Sequence, residues 1–284
     1  MLKPSLEIIS ESFHLYLRNF RKYVPYILMM FLPFVVLAVL GIAFSYLEVF
    51  LESSWLLGVV ANILIILVFI IQGIITYWWG PIALTRALHA DIVGQVLEWK
   101  ENVRTSKRLI IPLFLTSALF GLIMCGLLLI PILALILLTV WPNLLTSLVA
   151  APLILVPIIF IAIFSVWYVL YFFPVVLDGT KYLSALNFSK SLVRGQGWKI
   201  AWRFIMFGLV FGIITIIPLL VMSYLVTAIP IPSFLQLTFQ SLLQRLVVIL
   251  LAPLTTSAPL ILYLNAKQLA VTDQGPSTPS VSTQ

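Results

Sequence analysis

Residues 109–177, LIIPLFLTSALFGLIMCGLLLIPILALILLTVWPNLLTSLVAAPLILVPIIFIAIFSVWYVLYFFPVVL, run for 69 positions without one Asp, Glu, Lys or Arg. As one helix the segment would extend about 100 Å at about 1.5 Å per residue, whereas a bilayer core is only about 30 Å thick. The chain must therefore turn back inside it. Trp141-Pro142-Asn143 is the place, because proline interrupts a helix while Trp and Asn suit the membrane interface. Two membrane spans follow from this one stretch.

Outward from it, the other charge-free runs are residues 23–47, 53–85, 204–244 and 246–266. The 204–244 run is broken by Pro230-Ile231-Pro232, after which a helix resumes near Ser233. Six spans result, at about 23–47, 55–80, 110–139, 148–174, 204–228 and 243–264. The composition agrees. Of the 284 residues, 62% are hydrophobic and 9% charged, against about 25% charged in soluble domains, too few to cover a water-exposed surface.

Fifteen of the sixteen Lys and Arg lie in four segments, Lys3 to Lys22, Arg86 to Arg108, Lys181 to Arg203 and Lys267, and only Arg245 falls elsewhere. With six spans both termini share a side, and short basic loops stay in the cytoplasm, so both termini are expected there. The opposite loops carry little charge beyond Glu48 and Glu52, and none has the length of a domain. No secretory signal is expected, because the first apolar run is about twice the length of a signal core and follows a helical segment. Residues 269–284 are read as a disordered cytoplasmic tail.

Three basic segments also show helical periodicity. Leu6, Ile9, Phe13, Leu17 and Phe20 recur at helix spacing, as do Ile92, Val96, Trp99 and Val103, and Tyr182, Leu186, Ser189 and Val193. Each precedes a span, as an amphipathic helix in the headgroup plane would. The expected fold is all-α: six transmembrane helices plus three interfacial helices. Residues 1–268 form the membrane domain, a threefold repeat of helical hairpins over about 4–85, 86–177 and 178–268.

Phe172-Phe-Pro-Val-Val-Leu-Asp-Gly179, Ala185-Leu-Asn-Phe-Ser189, Leu192-Val-Arg-Gly195, Trp198 and the ending Tyr263-Leu-Asn-Ala-Lys267 carry a resemblance. The chain resembles a family of six-helix prokaryotic membrane proteins that includes the membrane domain attached to some glycerophosphoryl diester phosphodiesterases. The likeness covers roughly residues 6–268 and implies a prokaryotic plasma-membrane location. Two features depart from it: Pro152 and Pro157 lack the glycine that often follows in the family, and the His and acidic cluster of a metal-assisted phosphodiesterase is missing. The enzyme's activity does not carry over.

Chemistry is sparse in the sequence. His14 and His89 have no second ligand at metal spacing, Cys125 has no charged neighbour within its span, and Glu48 with Glu52 read as solvated loop charges. No catalytic residue, cofactor site, metal site or nucleic-acid contact is expected. The basic junctions, Arg104, Lys107, Arg108, Lys190, Arg194, Lys199 and Arg203, are candidates for contacts with anionic lipid headgroups, although such residues also serve simply to set topology. Ser117 with Gly121 and Gly208 with Gly212 have the spacing of close helix packing or of a dimer interface.

The expected function is a non-enzymatic membrane module whose partners are membrane lipids, with a membrane protein or a second copy as further possibilities. The alternative is a permease whose polar path would pass Gln72, Thr116 and Thr215. Arg245, the one charge in a span, is expected in the first turn of the last helix, snorkelling outward.

Overall fold

The computed structural model describes residues 2–50, 55–230 and 232–273, and among these every regular element is a helix. Six helices are long and apolar enough to cross a membrane, which makes this a multi-pass membrane protein. Pro142 ends α5 (Ile110–Val140), and Asn143 opens α6 (Leu144–Tyr168). The Asn143 side chain accepts from the Thr146 amide at 2.8 Å, and Thr146 Oγ1 in turn accepts from the Asn143 amide at 3.1 Å. This reciprocal cap starts the helix four residues ahead of the expected span, because it satisfies amides that would otherwise point into lipid.

One compact unit comprises Lys3–Ile110 with Ile205–Ile261. Its first helix, α1 (Ser5–Phe50), is continuous for 46 residues through Pro25 and Pro33. The amphipathic stretch expected as a separate interfacial helix is therefore the head of the first spanning helix. Its packed face also differs: Ile8, Ile9, Ser12 and Leu15 are buried, while Leu6 and Leu17 are exposed. Alternating apolar and polar residues around a short helix define a stripe only loosely, and packing against the protein selected the neighbouring one.

The return crossing is α2 (Trp55–Gly73), a π-helical turn over Ile74–Trp79, and α3 (Gly80–Val93). The widened turn ends just before Pro81, whose ring has no N–H and would clash with the Tyr77 carbonyl in a regular α-helix. The helix then continues past the expected limit at residue 80. At Gly80 the helices meet closely, since a Cβ there would collide with Met30 Cγ and Sδ. Beside it Thr76 Oγ1 donates to the Met30 carbonyl at 3.1 Å.

The short helix α4 (Trp99–Lys107) follows. Its buried residues are polar: Asn102 donates to Tyr26 Oη at 2.9 Å and to the Ala83 carbonyl at 2.7 Å, and Ser106 donates to Asn102 Oδ1. Trp79 Nε1 adds a bond to the Val103 carbonyl. Val96, just ahead of the helix, and Trp99 are exposed, while Val103 is half-buried.

The other unit comprises Ile111–Phe204 with the residues before Lys3 and from Leu262 onward. Here α7 (Phe172–Leu177) follows α6 after a tight turn with Tyr171 N to Tyr168 O and Phe173 N to Leu170 O bonds. Gly179, at φ +68°, ends it in a conformation that favours glycine. Then α8 (Tyr182–Val193) buries Ala185, Leu186, Ser189, Leu192 and Val193, close to the expected face, with Tyr182 exposed.

Two long helices remain, α9 (Gly197–Thr227) and α10 (Ser233–Asp273). Half of the most apolar window of α10 is buried, against 17% or less in each of the other five spanning helices. Within these windows α10 is the most packed of the six. It begins ten residues ahead of the expected span and continues to Asp273, past residue 269 where the tail was expected; residues 274–284 lie outside the described residues.

Candidate functional site

Arg104, Lys107 and Arg108 stand exposed on α4 and the turn into α5. Lys190, Arg194, Lys199 and Arg203 belong to the other unit. Of these four, the structure brings Lys190 and Arg194 together in a cleft of about 490 Å³, walled by Trp167, Val193, Gly195 and Gly197. The Lys190 ammonium sits 4.4 Å from the centre of the Trp167 ring. That stacking is worth about 0.5 to 1 kcal/mol at an exposed site and fixes the cation at the wall of the cleft.

The local sequence explains the cleft. Ser189 Oγ donates to the Trp167 carbonyl at 2.9 Å and holds α8 against the end of α6. Gly195, at φ +80°, lets the chain turn sharply from α8 into α9. No Ser, Thr, Asp or Asn stands in Arg194-Gly195-Gln196 to cap α9, and its first residue, Gly197, lines the cleft. Among the described residues no carboxylate pairs with Arg194. Lys199 is exposed and does not line the cleft, while Arg203 donates to the carbonyls of Lys199 and Leu2.

Two of the motif segments, Phe172–Gly179 and Tyr263–Lys267, meet in space. Asp178 accepts from the Tyr263 hydroxyl and, through Oδ1, from Lys267 Nζ at 2.5 Å. Phe173 stacks on the Tyr263 ring with centroids 5.3 Å apart. A second carboxylate is held by the same chemistry in the other unit, where Asp91 accepts from Tyr23 Oη at 2.9 Å and from Lys22 Nζ at 2.6 Å. Asp91 was not singled out from the sequence, and Asp178 entered only within the Phe172–Gly179 motif; each follows a returning span. The two sets are not in equivalent register, because Lys precedes Tyr by one residue in one and follows it by four in the other.

These clamps resolve the difficulty of placing a carboxylate next to an apolar helix. A charge-assisted hydrogen bond and an opposite charge replace the hydration that burial removes. Ahead of α1, Lys3 Nζ lies 2.8 Å from Glu11 Oε2, and this hydrogen bond raises the lysine's pKa. Both groups are partly exposed, so the pair adds at most about 1 kcal/mol.

Of the polar residues in the spans, Thr116 belongs to one unit and Gln72 and Thr215 to the other. Thr116 and Thr215 donate to carbonyls of their own helices, Pro112 and Phe211, and Thr116 Oγ1 also accepts from the Tyr182 amide. Gln72 instead lines a separate cleft in the unit formed by Lys3–Ile110 and Ile205–Ile261. Arg245 lines it too, and lies twelve residues inside α10 rather than in its first turn. The helix begins at Ser233, where the sequence placed its resumption after Pro230 and Pro232, so Arg245 falls well inside it.

The packing candidates differ from expectation as well. A Cβ at Gly121, Gly208 or Gly212 would meet nothing within 4 Å, so these residues do not mediate close helix approach among the described residues. Ser117 Oγ shares a hydrogen bond with Tyr171 Oη at 2.9 Å. Cys125 is exposed on α5. No group of metal-ligating residues occurs among the described residues, and Glu52 and the Glu48 side chain lie outside them. No family model, curated protein or solved structure matches the chain.

Proposed function

We propose that the protein is a non-enzymatic membrane module that binds anionic phospholipid headgroups at its cytoplasmic face, in a prokaryotic plasma membrane. The observation that carries this reading is the cleft in which Lys190 and Arg194 stand beside the uncapped start of α9 and the Trp167 ring. Two cations, the start of a helix and an interfacial aromatic suit a phosphate at headgroup depth.

The orientation follows from the basic loops, with both termini in the cytoplasm. In this reading α4 and α8 lie in the headgroup plane, α4 with Val96 and Trp99 toward lipid, and the head of α1 does the same work as part of a longer helix. The three hairpins at about 4–85, 86–177 and 178–268 are copies of one unit, and the likeness to the membrane domain of the phosphodiesterases is one of architecture. A membrane-protein partner or a second copy fits the open small-residue faces of α5 and α9.

The test is the amount of phosphatidylglycerol retained when the protein is purified from mixed phosphatidylcholine and phosphatidylglycerol membranes in a neutral detergent. The double variant Lys190→Gln with Arg194→Gln should retain several-fold less while inserting normally. Equal retention in variant and parent would refute the reading.

A further inference from the structure

The cleft at Gln72 and Arg245 has a different chemistry from the basic one. It encloses about 540 Å³ between α1, the return crossing and α10, and its walls are mainly apolar, with Phe34, Leu37 and Phe69 among them. Gln72 is 4% exposed, and its Oε1 has no hydrogen-bond partner. An acceptor left unsatisfied in a buried position costs about 1 to 3 kcal/mol. Such a group inside a cleft calls for a donor from outside the protein.

Arg245 supplies the complementary charge. Its guanidinium lies 3.5 Å from Tyr77 Oη, and its Cζ is 5.4 Å from the centre of the Phe34 ring. Among the described residues no carboxylate pairs with it. An arginine within a spanning helix, planar and permanently charged, is suited to grip a carboxylate or phosphate. Along the return crossing, Gln72 lies 19 residues before Asp91, a rise of roughly 28 Å at about 1.5 Å per residue. The cleft thus opens in the leaflet opposite the Asp91 clamp.

We propose that this cleft binds one amphipathic anion, a molecule with a carboxylate or phosphate head and an alkyl body. Arg245 holds the anionic group, Gln72 Oε1 accepts from a hydroxyl or amine of the head when one is present, and the alkyl part lies along Phe34, Leu37 and Phe69. The site is independent of the headgroup cleft of Lys190 and Arg194. Only its assignment to the outer leaflet rests on the orientation given above.

The experiment is equilibrium dialysis of the full chain in neutral detergent with labelled dodecanoate, or with labelled short-chain phosphatidylglycerol, in a Lys190→Gln, Arg194→Gln background. Saturable binding of one equivalent is expected for at least one probe, weakened at least tenfold by Arg245→Gln. Ser241→Leu, which fills the cleft without changing its charge, should weaken binding similarly. Gln72→Leu should weaken only the hydroxyl-bearing phosphatidylglycerol. Tight dodecanoate with weak phosphatidylglycerol identifies a fatty-acid-like ligand, and the reverse a phospholipid. Absence of saturable binding by either probe overturns the proposal, as does binding that withstands both Arg245→Gln and Ser241→Leu. Combined Glu48→Gln and Glu52→Gln should leave affinity unchanged, and a tenfold rise would show that the chain's own carboxylates occupy Arg245.

Discussion

The Tyr23 hydroxyl donates to Asp91 Oδ2 at 2.9 Å, and this bond joins the start of the first span to the end of the second. Tyr23 is fully buried, whereas Lys22, the other partner of Asp91, has a largely exposed side chain. The two contacts should therefore differ in strength. Tyr23→Phe should lower stability by about 1.5 to 3 kcal/mol, as for a buried hydrogen bond to a charged group. Lys22→Gln should cost less than about 1 kcal/mol. Unfolding in mixed SDS micelles measures both, and equal losses would contradict the assignment.

At Asp178 the two partners should be coupled. Tyr263→Phe keeps the stacking on Phe173 and removes only the hydroxyl. Paired with Lys267→Gln it leaves the carboxylate without a partner, so the double variant should lose more than the sum of the singles. A strictly additive double-mutant cycle would mean that the two contacts are independent.

Gly80→Ala should destabilise the protein by about 1 to 3 kcal/mol, because the new methyl overlaps the buried Met30 side chain. Met30→Ala in the same chain should recover part of that loss. Gly208→Ala, with open space around it, should be nearly neutral by the same measurement.

Asn102→Ala should free α4. It removes the donor to Tyr26 Oη and the Ala83 carbonyl, at an expected cost of about 1 to 3 kcal/mol. Hydrogen exchange should then rise over residues 99–107 and remain unchanged over 182–193. A uniform rise across both segments would show general unfolding instead.

Lys190→Gln and Arg194→Gln should each weaken association with anionic lipid by roughly 1 kcal/mol, or roughly fivefold. Because that attraction is screened, the difference from the parent should shrink as salt is raised. A difference independent of salt would point to a packing role for these residues.

The spans were legible because a charge-free run of known length permits few arrangements, and the turn at Trp141-Pro142-Asn143 lies where proline requires it. The Lys190 and Arg194 cleft was legible in part, since both residues belong to a basic segment, but which of seven cations converge depends on the turn at Gly195. The pairings of the aspartate clamps were not legible, although Asp178, Tyr263 and Lys267 stand in the quoted motifs. Tyr23 and Asp91 are 68 residues apart, and Tyr263 and Asp178 are 85 apart, with no local periodicity to couple them. At α4 the sequence placed Val96, Trp99 and Val103 on the apolar side of a helix in the headgroup plane, but the inward turn of Asn102 was not legible, because its partners Tyr26 and Ala83 lie 76 and 19 residues away. Gln72 resembled Thr116 and Thr215 in sequence, yet its amide cannot be satisfied by the preceding turn of its own helix as a threonine hydroxyl can.

The π-helical turn at Ile74–Trp79 acts as a phase adjuster for everything beyond it. A π turn accommodates one surplus residue, and one residue corresponds to about 100° of helical rotation. Deleting a single residue within it would restore a regular α turn and leave Asp91 near its present phase, whereas a deletion between Gly80 and Asp91, where no surplus residue absorbs it, would swing Asp91 by about 100° away from Lys22 and Tyr23. Drift by substitution is cheap in this segment, whereas a loss of one codon would unmake the pairing of two spans. Natural variants of the chain should therefore be length-invariant between Met30's contact at Gly80 and the Asp91 clamp, however freely their lipid-facing side chains change.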